Sequence, residues 1–164
     1  MEHTRIETLL QELQREPQRF FGHAFSFSWW VRGGEPGSPS DKLTLEGERG
    51  AVNGKYIRAR FDPARDPHIY SEKFTGNIDR SRAAALLQRL FESSLYATEL
   101  KEENDRGMRD IRKETWTFSR GNVQAEKTLY EPLPPSLDNL RSLCRDITDQ
   151  LVRSGKSSTT APAA

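Results

Sequence analysis

Tyr56, Arg58 and Arg60 stand at alternate positions, with Arg65 and His68 close behind. On a strand that spacing sets the first three side chains on one face. There, guanidinium forks can grip a carboxylate or a phosphate, and the tyrosine can stack on the same ligand. His68 follows Asp66 and precedes Glu72, carboxylates that could tune its imidazole as an acid or base. Together these residues outline a cleft for an anionic small molecule, in a small enzyme or a ligand-binding domain. The alternative is a solvated strand face whose arginines pair with Glu46 or Glu48 across a hairpin.

Phe20, Phe21, Trp29 and Trp30 form a second constellation, suited to contact rather than catalysis. Alternation from Phe25 puts Phe27, Trp29 and Val31 on one side and Ser26, Ser28, Trp30 and Arg32 on the other. Consecutive tryptophans on a strand cannot share one core, so one of them needs a second apolar neighbour. The first helix could supply it; an outside partner would make the exposed tryptophan a hot spot. Pro132-Leu133-Pro134-Pro135 matches a minimal P-x-x-P ligand pattern, although a rigid corner between strand and helix explains it better.

Several chemistries find no foothold. The three histidines lie far apart, in no H-x-x-H or H-E-x-x-H pattern, so neither metal ligands nor a cofactor is expected. No G-x-S-x-G, Walker-type loop or G-x-G-x-x-G is present. Cys144, the lone cysteine, falls on a helical apolar stripe, reads as a small hydrophobe and fits a reducing, cytoplasmic compartment. Twenty-five basic residues against 24 acidic ones give a formal charge of +1, which supplies no global field for nucleic acid or an anionic membrane. No long apolar run reads as a membrane span or signal peptide. A protein partner or a second copy of the chain is the expected ligand.

The elements that must position these residues follow from periodicity. Thr4 to Glu7 has capping-box spacing, and Ile6, Leu9, Leu10 and Leu13 give a helix ending near Pro17. Phe20 to Val31 reads as an aromatic strand, followed by a loop from Gly33 to Ser40. Lys42 to Glu46 and Lys55 to Phe61 are strands, with Asn53-Gly54 the strongest hairpin signal between them and residues 47–50 a bulge or second turn. Within the second of these strands Ile57, Ala59 and Phe61 face away from Tyr56, Arg58 and Arg60. His68 to Phe74 is a short strand, and Asp79 caps a helix with Ala83, Leu86, Leu87, Leu90 and Phe91 on its buried side. A strand over Tyr96 to Leu100 precedes the charged run 101–107. Ile111 to Phe118 and Val123 to Tyr130 then form a hairpin about Arg120-Gly121-Asn122. Ser136 is placed to cap the last helix, whose stripe of Leu137, Leu140, Leu143, Cys144, Ile147 and Leu151 should lie on Trp116 and Phe118.

The expected fold is α+β: a mainly antiparallel sheet of about five to six strands, helices on one face, in the order α-β-β-β(β)-α-(β)β-β-α. Residues 1–153 should form a single domain and residues 154–164 a disordered tail. The element order is similar to that of the small secretion chaperones of bacterial type III systems, which look characteristically acidic, as this chain is not. The functional expectation is a non-enzymatic interaction module, adaptor-like or chaperone-like, working through the aromatic strand and a sheet face left uncovered. The alternative is the anion cleft near His68.

Overall fold

The computed structural model describes residues 2–33, 39–61, 64, 69–93, 95–96, 112–131 and 133–160. Helix α1 (Glu2–Arg15) buries Ile6, Leu9 and Leu13 and begins ahead of Thr4, so no capping box opens it. Pro17 ends α1 as expected but also starts α2 (Pro17–Phe21), where its missing N–H is harmless at the first helical position. Phe20 and Phe21 are therefore helical, and the aromatic strand β1 runs only from Phe25 to Arg32.

Next come β2 (Ser40–Glu48), β3 (Ala51–Phe61), β4 (Ile69–Ile78) and α3 (Arg80–Glu92). They are followed by β5 (Lys113–Arg120), β6 (Val123–Tyr130), a short 3-10 turn (Pro135–Leu137), α4 (Asp138–Ser154) and β7 (Lys156–Thr160). The strands make one seven-stranded sheet in the order β6-β5-β1-β2-β3-β4-β7, antiparallel throughout. The α+β class is as expected; the strand count is higher because the segment expected to be disordered pairs with β4, Lys156 opposite Thr75. Gly155 makes that return possible, since a Cβ there would sit 2.5 Å from the Thr75 carbonyl oxygen.

The β2–β3 turn is not at Asn53-Gly54. It is at Arg49 and Gly50, both at positive φ (52° and 83°), the conformation of a two-residue hairpin loop. Asn53 and Gly54 pair inside the ladder, opposite Glu46 and Leu45. Glycine at 54 serves packing instead: a Cβ would lie 2.9 Å from Ile78 Cγ1 and 3.1 Å from Leu151 Cδ1. With Gly76 opposite it, this bare spot seats the C-terminal half of α4 on β3 and β4. Helix α4 accordingly packs mainly on β4 and β3 rather than over Trp116 and Phe118 of β5, a strand that it meets through Arg141 and Glu114. Helix α3 reaches Phe118 instead, through Phe91 at 5.0 Å in a T-shaped contact. Ser136 falls within the 3-10 turn rather than at a cap, and Leu137 precedes α4 without a side-chain cap bond. Asp79 does precede α3, also without a capping bond.

All four helices pack on one face, over Phe27, Trp29, Leu43, Leu45, Val52, Phe74, Trp116 and Phe118. That face is tied to α4 by a buried ion pair between Glu114 of β5 and Arg141. The expected strand at Tyr96 to Leu100, the run 101–107, and Arg65, Asp66 and His68 lie outside the described residues, apart from Tyr96 in a turn. Among the described residues no helix is long and apolar enough to cross a membrane.

Candidate functional site

The strand register fixes what the other face of the sheet carries. Arg32 lies opposite Lys113 on β5 and Ser40 on β2, and Lys113 lies opposite Tyr130 on β6. One step along the strands, Trp30 lies between Thr115 and Lys42, and the row continues through Ile57 to Lys73. Trp30, 37% exposed, shares only with Val152 the position of exposed large hydrophobic among the described residues. It occupies the third of seven strands, so no sheet edge explains its exposure.

The ring is held as well as exposed. The Arg32 guanidinium stacks over it, 3.9 Å from the centroid, and Lys42 Nζ stands 5.4 Å away. Arg32 Nη1 donates to Thr115 Oγ1 at 3.0 Å, and that hydroxyl is 3.0 Å from Thr128 Oγ1, so the cation is anchored from the β5 side. Burial lowers the Arg32 pKa, opposed by Tyr130 and Glu126, but a guanidinium stays charged. Lys113 Nζ stands 5.9 Å over the Tyr130 ring. Contacts of this kind stabilise by about 0.5–1 kcal/mol at exposed sites, enough to fix ring orientation without contributing much to the fold.

The four aromatics expected at a partner surface are thus split. Phe20, Phe21 and Trp29 are core residues, buried under or between helices and sheet, and only Trp30 faces outward. Trp29 stacks on Trp116 at 5.5 Å, and its Nε1–H donates to Glu114 Oε2 at 3.0 Å. Alternation along β1 separates Trp30 from Trp29, and it also places Arg32 beside Trp30. Lys42, Lys113 and Tyr130 join them only through pairing of distant strands, which no local pattern reveals.

The expected anion site is brought only partly together and faces the other way. Tyr56, opposite Leu43, is on the helix-covered face and only 8% exposed, while Ile57 and Ala59 lie on the face that carries none of the described helices. Arg58 and Arg60 are half-buried and neutralised by carboxylates of the same sheet, though not by Glu46 or Glu48. Arg58 Nε donates to Glu72 Oε1 at 3.1 Å and Nη2 to Oε2 at 3.3 Å, and Arg60 Nη2 donates to Asp41 Oδ1 at 3.0 Å. The Tyr56 hydroxyl donates to Asp41, and Arg58 also stands 5.0 Å over Phe74. Two cations and two anions already in hydrogen-bonded pairs offer little to an incoming anion. Arg65 and His68 are outside the described residues.

Burial, reinforced by the Asp41 hydrogen bond and charge, pushes the Tyr56 phenol up to about 12. The neutral phenol is the form that the fold favours, so this contribution is complete below the ordinary tyrosine pKa near 10 and is lost as the pH rises through 12. In a spectrophotometric titration of phenolate absorbance one tyrosine should ionise near pH 12, and Tyr56→Phe should remove that step together with part of the alkaline loss of stability.

A cleft of about 730 Å³ opens elsewhere, between α1, α2 and the β5–β6 turn, with Arg15, Arg19, His23 and Arg120 in its wall. Its charge is largely spoken for: Glu12 pairs with Arg120 at 3.2 Å and with Arg19 at 3.5 Å, and Glu16 with Arg19 at 3.3 Å. Among the described residues no group of three or more His, Cys, Asp and Glu side chains could hold a metal ion. Cys144 is fully buried with its pKa raised well above the ordinary value, first by burial and then by Glu114, so the thiolate is suppressed. No family model and no curated protein sequence matches the chain.

Proposed function

We propose that this chain is a non-enzymatic protein-interaction module that docks a partner on the uncovered face of its sheet, with Trp30 as the anchor. The observation that carries the proposal is the placement of a 37%-exposed tryptophan in mid-sheet, on the face opposite all four helices, with its ring fixed by Arg32. Indole side chains in such settings are the residues most often found to dominate binding energy, because they bring a large apolar surface at a small loss of side-chain freedom. The partner is another protein or a second copy of the chain. A cytoplasmic setting fits the single, reduced and buried Cys144.

Trp30→Ser tests this. Because Trp30 adds little to the core, the variant should stay folded and melt within about 2 °C of the wild type, the range of a surface substitution. A loss of many degrees would make Trp30 a stability residue and remove the proposal. Light scattering over a concentration series then distinguishes the occupants. A wild-type dimer converted by the substitution to a folded monomer puts a self-interface on this face, whereas a monomeric wild type removes the self-association version of the proposal.

A further inference from the structure

Resting on that proposal, we infer that the partner presents an acidic segment, carboxylates interleaved with apolar side chains, which lies across the strands over Trp30. Three features of the face lead there.

The first is charge. The two rows through Arg32 and Trp30 carry four cations, Arg32, Lys42, Lys73 and Lys113, and no carboxylate. Among the described residues, Glu46, Glu48 and Glu126 are the acidic residues of this face, and all lie further along the strands, on the side of Trp30 away from Arg32. Among the described residues none of the four cations has a carboxylate within ion-pair distance. In a chain of formal charge +1 this is a local field rather than a general one, and it is complementary to acid.

The second is the order of side chains across the sheet. Trp30, Lys42, Ile57 and Lys73 sit on four successive strands, apolar alternating with cationic. Strands lie roughly 4.8 Å apart, so the pattern repeats about every 10 Å at right angles to the strand direction. A ligand matching it needs apolar groups for Trp30 and Ile57 and carboxylates between them.

The third is what the cations over the rings leave available. Arg32 covers one side of Trp30, and the nearest other aromatic on the face, Tyr130, is two strands away with Lys113 above it. Stacked nucleic-acid bases need open aromatic faces on adjacent central strands, so this arrangement suits them poorly. A carboxylate needs only the edge of the guanidinium. Arg32 uses one N–H on Thr115 and has further donors to give while it stays stacked on the indole.

The probe is a synthetic amphipathic peptide of Glu and Leu, compared with its Gln-for-Glu counterpart and with a thymidine oligonucleotide. Binding to the full chain is followed by the fluorescence anisotropy of a dye on the peptide or the oligonucleotide, a readout that survives the loss of Trp30, with the tryptophan emission of the wild type as a second report because Trp29 and Trp116 are buried. The Glu peptide should bind, more weakly as salt is raised, and the Gln peptide should not. Lys42→Gln should weaken binding about two- to fivefold, and Lys42→Gln with Lys113→Gln roughly tenfold, at unchanged melting temperature. Equal binding of the Gln peptide, tighter binding of the oligonucleotide, or no binding of the Glu peptide overturns the inference. If the Glu peptide fails while Trp30→Ser still abolishes self-association, the docking proposal stands and only the acidic segment falls. If Trp30→Ser binds the Glu peptide as the wild type does, the face is not the site and both fall.

Discussion

Replacing Glu114 with alanine should destabilise the protein by about 3–5 kcal/mol, the range for breaking a buried ion pair by removing one partner. Glu114 is 0% exposed and Arg141 is 5% exposed. Arg141 Nη2 donates to Glu114 Oε1 at 2.6 Å and Nε to Oε2 at 3.0 Å, and Trp29 Nε1 donates to the same Oε2. The other arm of the guanidinium donates to the Pro134 carbonyl at 2.9 Å and to Asp138 at 2.7 Å. Burial works against charge on Arg141, yet the hydrogen bond and charge of Glu114, followed by those of Asp138, outweigh it and raise its pKa. Take the carboxylate away and a guanidinium that cannot shed its proton is left with only the exposed Asp138 as a counter-charge, while the Trp29 donor loses its acceptor as well.

The size of that loss does not mean that the pair stabilises the fold by the same amount, because bringing both charges out of water offsets most of their attraction. Glu114→Leu combined with Arg141→Met should therefore recover most of the stability, ending within about 1–2 kcal/mol of the wild type or above it. Chemical denaturation of the two single variants and the double variant closes a thermodynamic cycle whose coupling should be several kcal/mol. Additive losses would show that the two side chains do not depend on each other. The pair's specific service is positional: Glu114 projects from the start of β5 on the helix-covered face and holds the first turn of α4, while Leu151 locks the far end over Gly54 and Gly76.

Nothing in the sequence announces Glu114, a single carboxylate between Lys113 and Thr115 in a strand that otherwise alternates normally. What was legible there was the hairpin itself, because turn residues at 120–122 sit between two alternating runs and every signal agrees. The β2–β3 hairpin shows the opposite case. Asn53-Gly54 is the better local turn sequence, but Gly54 answers a demand from α4, a contact nearly 100 positions away in the chain, and the turn goes to Arg49-Gly50. Face assignments failed for the same reason. Two arginines made the Tyr56 side of β3 look wet, whereas Asp41 and Glu72, brought alongside by pairing, let those arginines sit half-buried on the helix side. Strand β7 is not legible in the sequence because Lys156-Ser157-Ser158-Thr159-Thr160 has no apolar periodicity; its pairing is a matter of backbone groups meeting an open edge of β4. Trp30 could be placed because a period of two separates adjacent residues whatever else the chain does.

Phe20→Ala should cost about 3–5 kcal/mol, in sharp contrast to Trp30→Ser. Both residues look alike in the sequence, large aromatics in the segment from Phe20 to Val31, and either could be taken for a docking residue. Phe20 is fully buried in α2, with rings of Phe21, Phe25 and Phe91 at 5.3, 5.8 and 6.1 Å and the Arg120 guanidinium 4.8 Å above it. Arg120 reaches back to Glu12 of α1 as well as to the Phe20 carbonyl, so the ring closes the junction of α1, α2, α3 and β5. Alanine would leave a cavity at that junction that four elements already tied to one another can fill only in part, and the residual void sets the upper end of the range. Urea denaturation of the two variants reads the difference directly. A Phe20→Ala protein as stable as the wild type would mean that α2 is not packed against the sheet, and it would return Phe20 to the surface as a rival anchor to Trp30. A large loss with unchanged peptide binding in the folded fraction would separate the aromatic that holds the fold together from the one that meets the partner.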